Sequence, residues 1–297
     1  RPSSDLSHLA DLPIKWFRGQ VYQPDVVQEA ARDVHYIFHL AALYRETSAD
    51  PNEYYRVHVE STQALAHAAS ECPNLRRFVH LSTVGVHGHI DNPPANEDYP
   101  YHPGDDYQKS KLKAELWIRE YAAQRNLPLS VIRPAAIYGP GDRRLLKVFK
   151  MASLRFTPIL GYGKCLYHLV HVEDLVDMLI EAALNDAAIG QVFIAGADKP
   201  VSLVEMMEVV SEVLNKPLRV IRVPAWPFFL VADICELVCK PLGWNPFIYR
   251  RRVAFFTKDR SFDTSKLRRL LGYKQKHSNS DGLKQTARWY IEHGWLA

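Results

Sequence analysis

An α/β fold, with a doubly wound parallel sheet followed by a smaller C-terminal α/β part, is predicted by two observations. Short apolar, β-rich runs alternate with longer helical patterns, and the chemically distinctive residues fall where those runs end. Residues 14–17 (IKWF) read as a short strand and 24–32 as a helix. Residues 34–40 (VHYIFHL) read as a buried strand running into the small residues Ala41 and Ala42. A long helix is expected over 52–70 and a strand over 77–82 (RFVHLS). A loop rich in Pro, Asn and Asp (91–106) precedes a helix over 107–125, and 129–133 is a strand stopped by Pro134. The second half is less regular, with strands at 191–195 and 218–223, helices at 173–184 and 202–214, and a helical tail over 263–295. The expected division is 1–160 and 161–297, with segments of the second part returning to the main sheet. In such a sheet ligands sit beyond the carboxyl ends of the strands. Attention therefore falls on Ala41, Ala42, Ser82, Thr83, Pro134 and Ala135.

The bulk numbers exclude several classes. The 297 residues are 47% hydrophobic, enough for a large core, and the formal charge of +4 does not indicate nucleic-acid binding. Cys72, Cys165, Cys235 and Cys239 are scattered without a CxxC pair, so neither a disulfide framework nor a zinc site is expected, and a cytoplasmic location is the default. His168 and His171 are spaced i, i+3 but lack a third ligand of convincing spacing, so no metal is expected. The apolar stretch 225–238 is too short and too interrupted to span a bilayer; a lid or a membrane-surface helix is the alternative. No signal peptide is read. No GxGxxG phosphate turn occurs in the chain, so about 30–40 residues of a βαβ half-unit are expected to be missing from the front.

Tyr107 and Lys111 are spaced YxxxK at the start of a helix, which puts both side chains on one face. A nearby ammonium favours the phenolate of a tyrosine and so equips it to pass a proton to or from a substrate oxygen. Upstream, Thr83 follows Ser82 at the end of a buried strand, where a hydroxyl can hold that oxygen. With this order of parts the chain resembles the extended short-chain dehydrogenase/reductases. The likeness runs through FHLAA (38–42), RFVHLSTVGVHG (77–88), IRPAAIYGPGD (132–142), VHVEDLVDML (170–179) and LGYKQKHS (271–278).

The resemblance implies a Rossmann-like sheet, with its first strands missing, and a nicotinamide cofactor. Tyr107 would be the acid/base, Lys111 would bind the nicotinamide ribose, and Thr83 would donate to the substrate oxygen. Gln20, Val21, Leu40, Ala41, Ala42, His58, Leu81, Pro134 and Ile137 would line the cofactor, and Val84 would join Thr83 and Tyr107 at the substrate. Arg1 falls where a cation often meets a 2′-phosphate, which tilts the choice between NAD and NADP towards NADP. Two departures stand out: Gly19-Gln20 replaces the usual GD, and His58 stands where the family places an Asn that holds a water. The family implies a small-molecule substrate and allows a homodimer through helix 107–125. Three functions follow: an oxidoreductase of a secondary alcohol or ketone on a small or lipophilic substrate, a nucleotide-sugar epimerase or dehydratase, or a non-catalytic dinucleotide-binding regulator. Residues 134–137 (PAAI) lack an Asn and 164–169 (KCLYHL) lack an Arg, the groups that would meet a sugar diphosphate, which favours the first.

Overall fold

A computed structural model describes residues 9–44, 50–239, 244, 246–248, 250–254, 257 and 259–296. Helix α1 (Pro24–Ala30) leads into β1 (Tyr36–His39), the centre of the VHYIFHL run. The helical pattern that follows is a rod in three parts: α2 (Pro51–Tyr55), a π turn (Arg56–Glu60) and α3 (Ser61–Ser70). Next come β2 (Arg77–Leu81), α4 (Asp106–Arg125), β3 (Leu129–Pro134), β4 (Ala136–Tyr138), α5 (Leu146–Ala152), β5 (Thr157–Leu160), β6 (Leu166–Tyr167) and β7 (Leu169–His171). The chain continues through α6 (Val172–Leu184), β8 (Val192–Ala195), β9 (Val201–Ser202), α7 (Leu203–Val213), β10 (Val220–Val223) and α8 (Trp226–Cys239). It ends with α9 (Arg250–Ala254), α10 (Ser265–Leu271) and α11 (Asn279–Glu292).

Four of these strands form one parallel sheet in the order β1-β2-β3-β8. The pleat sends alternate residues to opposite faces. Ile37, Phe78, Leu129, Val131 and Val192 pack with α3 and α4 residues such as Ala66, Ile118 and Ala122. Val79, Ile132, Phe193 and Ala195 meet Leu175, Met178 and Leu179 of α6 and Leu267 and Leu271 of α10. Helices on both faces explain why β3 and β8 are buried along their whole length. A second apolar core joins α5, α7 and α11 around Phe149, Met206, Met207 and Tyr290, beside the parallel pair β5–β10.

Two expectations are corrected. Residues 14–17 are not a strand: no strand lies beside them among the described residues, and an isolated strand has no ladder to satisfy its backbone. The C-terminal tail is helical as expected, in two helices separated at Gly272, which takes a left-handed conformation (φ 69°) that caps α10. Pro134 is the last residue of β3 rather than a residue beyond it.

One turn near the strand ends is tightly specified. Gly88 closes the loop after β2 at φ 65°, and a Cβ there would stand 1.9 Å from the His102 carbonyl oxygen. Gly88→Ala is expected to destabilise by at least ~2 kcal/mol, from the left-handed backbone and the clash together. A urea melt checks this, and an unchanged midpoint refutes it.

Candidate active site

The carboxyl ends of β1, β2 and β3 bring together most of the residues singled out from sequence. Past β2 the Ser82 amide still donates to the Ile132 carbonyl (2.7 Å). The two adjacent hydroxyls then part. Ser82 Oγ donates to the buried Glu115 carboxylate at 2.5 Å. Thr83 turns the other way and caps a short 3-10 turn (Val84–His87), its Oγ1 accepting from the Gly85 amide at 3.0 Å. A Cβ on Gly85 would lie 3.1 Å from Gln108 Nε2 and 3.2 Å from Thr83 Oγ1, so glycine lets the start of α4 rest on the Thr83 turn. Val84 packs against the small cluster of Ile90, Ala95, Ile194 and Phe262.

Helix α4 starts where Asp105 accepts the Gln108 amide at 2.8 Å. One turn apart on it lie Tyr107, half-buried, and Lys111, only 3% exposed. Lys111 Nζ donates to the Leu81 carbonyl at 2.8 Å. That bond holds the ammonium at the end of β2, two residues before Thr83. Burial pushes the Lys111 pKa down to about 8, with Glu115 pulling the other way. The Tyr107 ring meets Tyr44 edge-on at 5.3 Å and His58 at 5.4 Å.

Both ring nitrogens of His58 are bonded to the protein. Its Nε2 accepts the Leu43 amide at 3.1 Å, which leaves the proton on Nδ1 to bond Ser110 Oγ at 2.8 Å. Both nitrogens are spent tying the 41–44 segment to α4, and the π turn is the element that presents the ring. Burial first, then Lys111, pushes its pKa down to about 3. Buried His39, in contact with Ser61 and Thr62, is pushed down to about 3 as well, and His80 beside it well below the usual range.

The lowered pKa values of these histidines predict an acid-labile fold. An unfolded chain protonates His39 and His58 from about pH 6.5 downward, and the folded chain only near pH 3. Stability is therefore full above pH 6.5 and drains as pH falls through that window, with a slope approaching two protons. Melting temperatures from pH 7 to 4 test this; a flat profile refutes it.

The remaining candidates are placed as follows. Leu40 and Ala42 are exposed and Ala41 half-buried at the end of β1; Pro134 is buried and Ile137 half-buried beyond β3. Leu81 contributes its carbonyl to Lys111. Gln20 and Val21 are half-buried in a turn before α1, where the Gln20 amide donates to Gln23 Oε1 at 2.6 Å. Arg1 lies outside the described residues. Sequence reasoning missed Tyr44 and Arg144. Arg144 donates to the Ile137 carbonyl at 2.6 Å, pairs with Asp142 at 2.9 Å and lies 5.4 Å from the Tyr44 ring. Neither carries a motif, since each reaches the site from a loop.

His168 is a packed histidine, bonded to the Ala197 carbonyl and the Phe262 amide. His171 gains unforeseen company from the tail: donor atoms of His171, Glu173 and His277 lie within 4.8 Å of one another. The two rings stack at 4.2 Å and 30°, a geometry in which in-plane lone pairs run side by side instead of converging on one ion.

A cavity of about 650 Å³ opens where β5 and β10 end, lined by Leu160, Tyr162, Cys165, Arg222, Val223 and Ala225 among others. Thr83, Tyr107 and Lys111 are not in its wall, and of the apolar stretch 225–238 only Ala225 is. That stretch forms α8.

Parallel strands wound by helices on both faces, with a Ser-Thr turn and a YxxxK helix at one end, define an extended dinucleotide-binding fold. The chain belongs to the NAD dependent epimerase/dehydratase family, which matches residues 1–196. It is 27% identical over 293 residues to the 3beta-hydroxysteroid-dehydrogenase/decarboxylase isoform 2 of Arabidopsis thaliana, covering 92% of this chain and 51% of that protein. It is 28% identical over 254 residues to a UDP-glucose 4-epimerase of Vibrio cholerae, covering 83% of this chain and 73% of the other. Among solved structures, the dTDP-glucose 4,6-dehydratase DesIV of Streptomyces venezuelae, with NAD and TYD bound, superposes with a TM-score of 0.73 at 24% identity, over 98% of this chain and 84% of the other. The chain thus spans about half the length of its Arabidopsis relative.

Proposed function

We propose that this chain carries the chemistry of an NAD(P)-dependent oxidoreductase that interconverts a secondary alcohol and a ketone on a small or lipophilic substrate. The observation that carries the reading is the Lys111 ammonium, held by the Leu81 carbonyl between the Tyr107 helix and the Thr83 turn. The nicotinamide end of a dinucleotide fits these residues: a buried cation for the ribose, exposed Leu40 and Ala42, and half-buried Ile137 beside them. The glycine turn for the pyrophosphate is not in this sequence. When bound, NAD or NADP would supply or accept the hydride at the substrate carbon. Tyr107 moves the matching proton at the oxygen, and Lys111 keeps the phenolate accessible. Because Thr83 Oγ1 accepts from Gly85, its own proton is left to donate to that oxygen. The chain supplies alignment and proton transfer.

A nucleotide-sugar reading keeps one support, the Arg144 guanidinium beside Tyr44. The deciding assay gives the full chain NAD or NADP with a panel of sterols and simple secondary alcohols, and separately with UDP-sugars. Net formation of reduced cofactor from an alcohol supports the oxidoreductase. Interconversion of UDP-sugars without net reduction replaces it with the epimerase. NADP preference, suggested by Arg1, is read from the same assay.

A further inference from the structure

Apart from Asp233 and Glu236, helix α8 (WPFFLVADICELVC) is apolar all round, and such a helix is normally enclosed by protein or lipid. Here only Ala232 is buried. Trp226, Leu230, Ile234 and Leu237 are 70%, 55%, 54% and 75% exposed and, at helical spacing, form one outward stripe. Helix α8 packs on α9, whose Arg250 holds Asp233 at 2.5 and 2.8 Å and so neutralises an acid beside the stripe.

The charge around this stripe is not average. Residues 216–260 contain nine Lys and Arg against three Asp and Glu, while the whole chain carries only +4. The remainder is therefore net acidic, and the basic surplus lies in the stretch of sequence that contains the exposed apolar helix. The cavity wall also leads into it: Arg222 to Ala225 line the cavity, and Trp226 is the first residue of α8. Tyr162, another lining residue, is 77% exposed.

We propose that α8 is a membrane-docking surface that lies in the headgroup region of an anionic bilayer. Fourteen residues reach about 21 Å, too short for the ~30 Å hydrocarbon core, so the helix lies flat rather than crossing. Among the described residues no helix is long and apolar enough to cross a membrane. The stripe enters the acyl boundary, the basic residues meet lipid phosphates, and Trp226 and Tyr162 sit at headgroup depth. A second copy fits less well, since a two-fold contact would bring the same basic surplus against itself. Docking would put the cavity wall at the bilayer, where a lipophilic substrate resides. It does not depend on the hydride chemistry, which is assayed separately.

The test is co-sedimentation of the full chain with vesicles of phosphatidylcholine alone or mixed with phosphatidylserine. The expected result is binding to the mixed vesicles, weakened by ~0.5 M salt. The Leu230→Glu/Leu237→Glu variant should lose about tenfold or more of it at an unchanged melting temperature, since both positions are exposed. The proposal is overturned if the wild type stays in the supernatant with mixed vesicles, or if the variant sediments equally well. It is also overturned if the wild type ignores vesicles but is a dimer that the variant dissolves, which would assign the stripe to a second copy.

Discussion

Tyr107→Phe is expected to lower kcat about 10³-fold while leaving the fold and most of the cofactor affinity in place. The substitution removes one oxygen and keeps the ring that meets Tyr44 and His58 edge-on, so the packing of the site is preserved. Thr83→Val should also slow turnover, because it deletes the hydroxyl proton left for the substrate oxygen and the cap that Gly85 uses. Thr83→Ser keeps both and should restore most of the rate. Ser82→Ala provides the contrast, since its hydroxyl serves Glu115 and its loss should appear in stability rather than in rate. A Tyr107→Phe protein with near-normal turnover would remove the assignment of the proton carrier.

The largest stability effect is expected at Glu115. This carboxylate is fully buried and takes hydrogen bonds from Arg133 Nη2 at 2.5 Å, Arg133 Nε at 3.1 Å and Ser82 Oγ at 2.5 Å. Arg133, equally buried, also donates to the Glu97 carbonyl and the Tyr101 hydroxyl. Breaking such a pair leaves a guanidinium without its counter-charge, so Glu115→Gln should cost ~3–5 kcal/mol in a denaturant melt. Pairing Glu115→Leu with Arg133→Met should recover only part of that, because Ser82 and Tyr101 would still lose their partners. Glu115 also favours the charged form of Lys111. Its removal should therefore lower the Lys111 pKa below about 8 and move the corresponding limb of the pH–rate profile to lower pH. A shift to higher pH, or a loss under about 1 kcal/mol, would contradict this account.

The main sheet was legible in the sequence because its strands read as largely apolar runs: VHYIFHL, RFVHLS and the strand before Pro134 stand out from their surroundings. Helix α4 and its Tyr107–Lys111 pair were legible from spacing. The short ladders β4–β7 and β6–β9 were not, since two or three residues carry no period. The π turn that aims His58 was hidden inside a pattern that reads as ordinary helix. The split between Ser82 and Thr83 was also hidden. It depends on Glu115, thirty-three positions away, and no local pattern announces a buried carboxylate. Residues 14–17 failed for the opposite reason: the local pattern is right for a strand, but pairing decides, and none of the described strands lies alongside.

The place of β8 has a consequence for how this chain comes off the ribosome. β3 is complete at residue 134, yet the partner that covers its outer edge is residues 192–195. Until about sixty further residues have emerged, a nascent β3 offers a raw row of amides and carbonyls to any neighbouring chain. The β3 edge is thus completed only by synthesis of the second half, and a translational pause between the two would leave that edge uncovered.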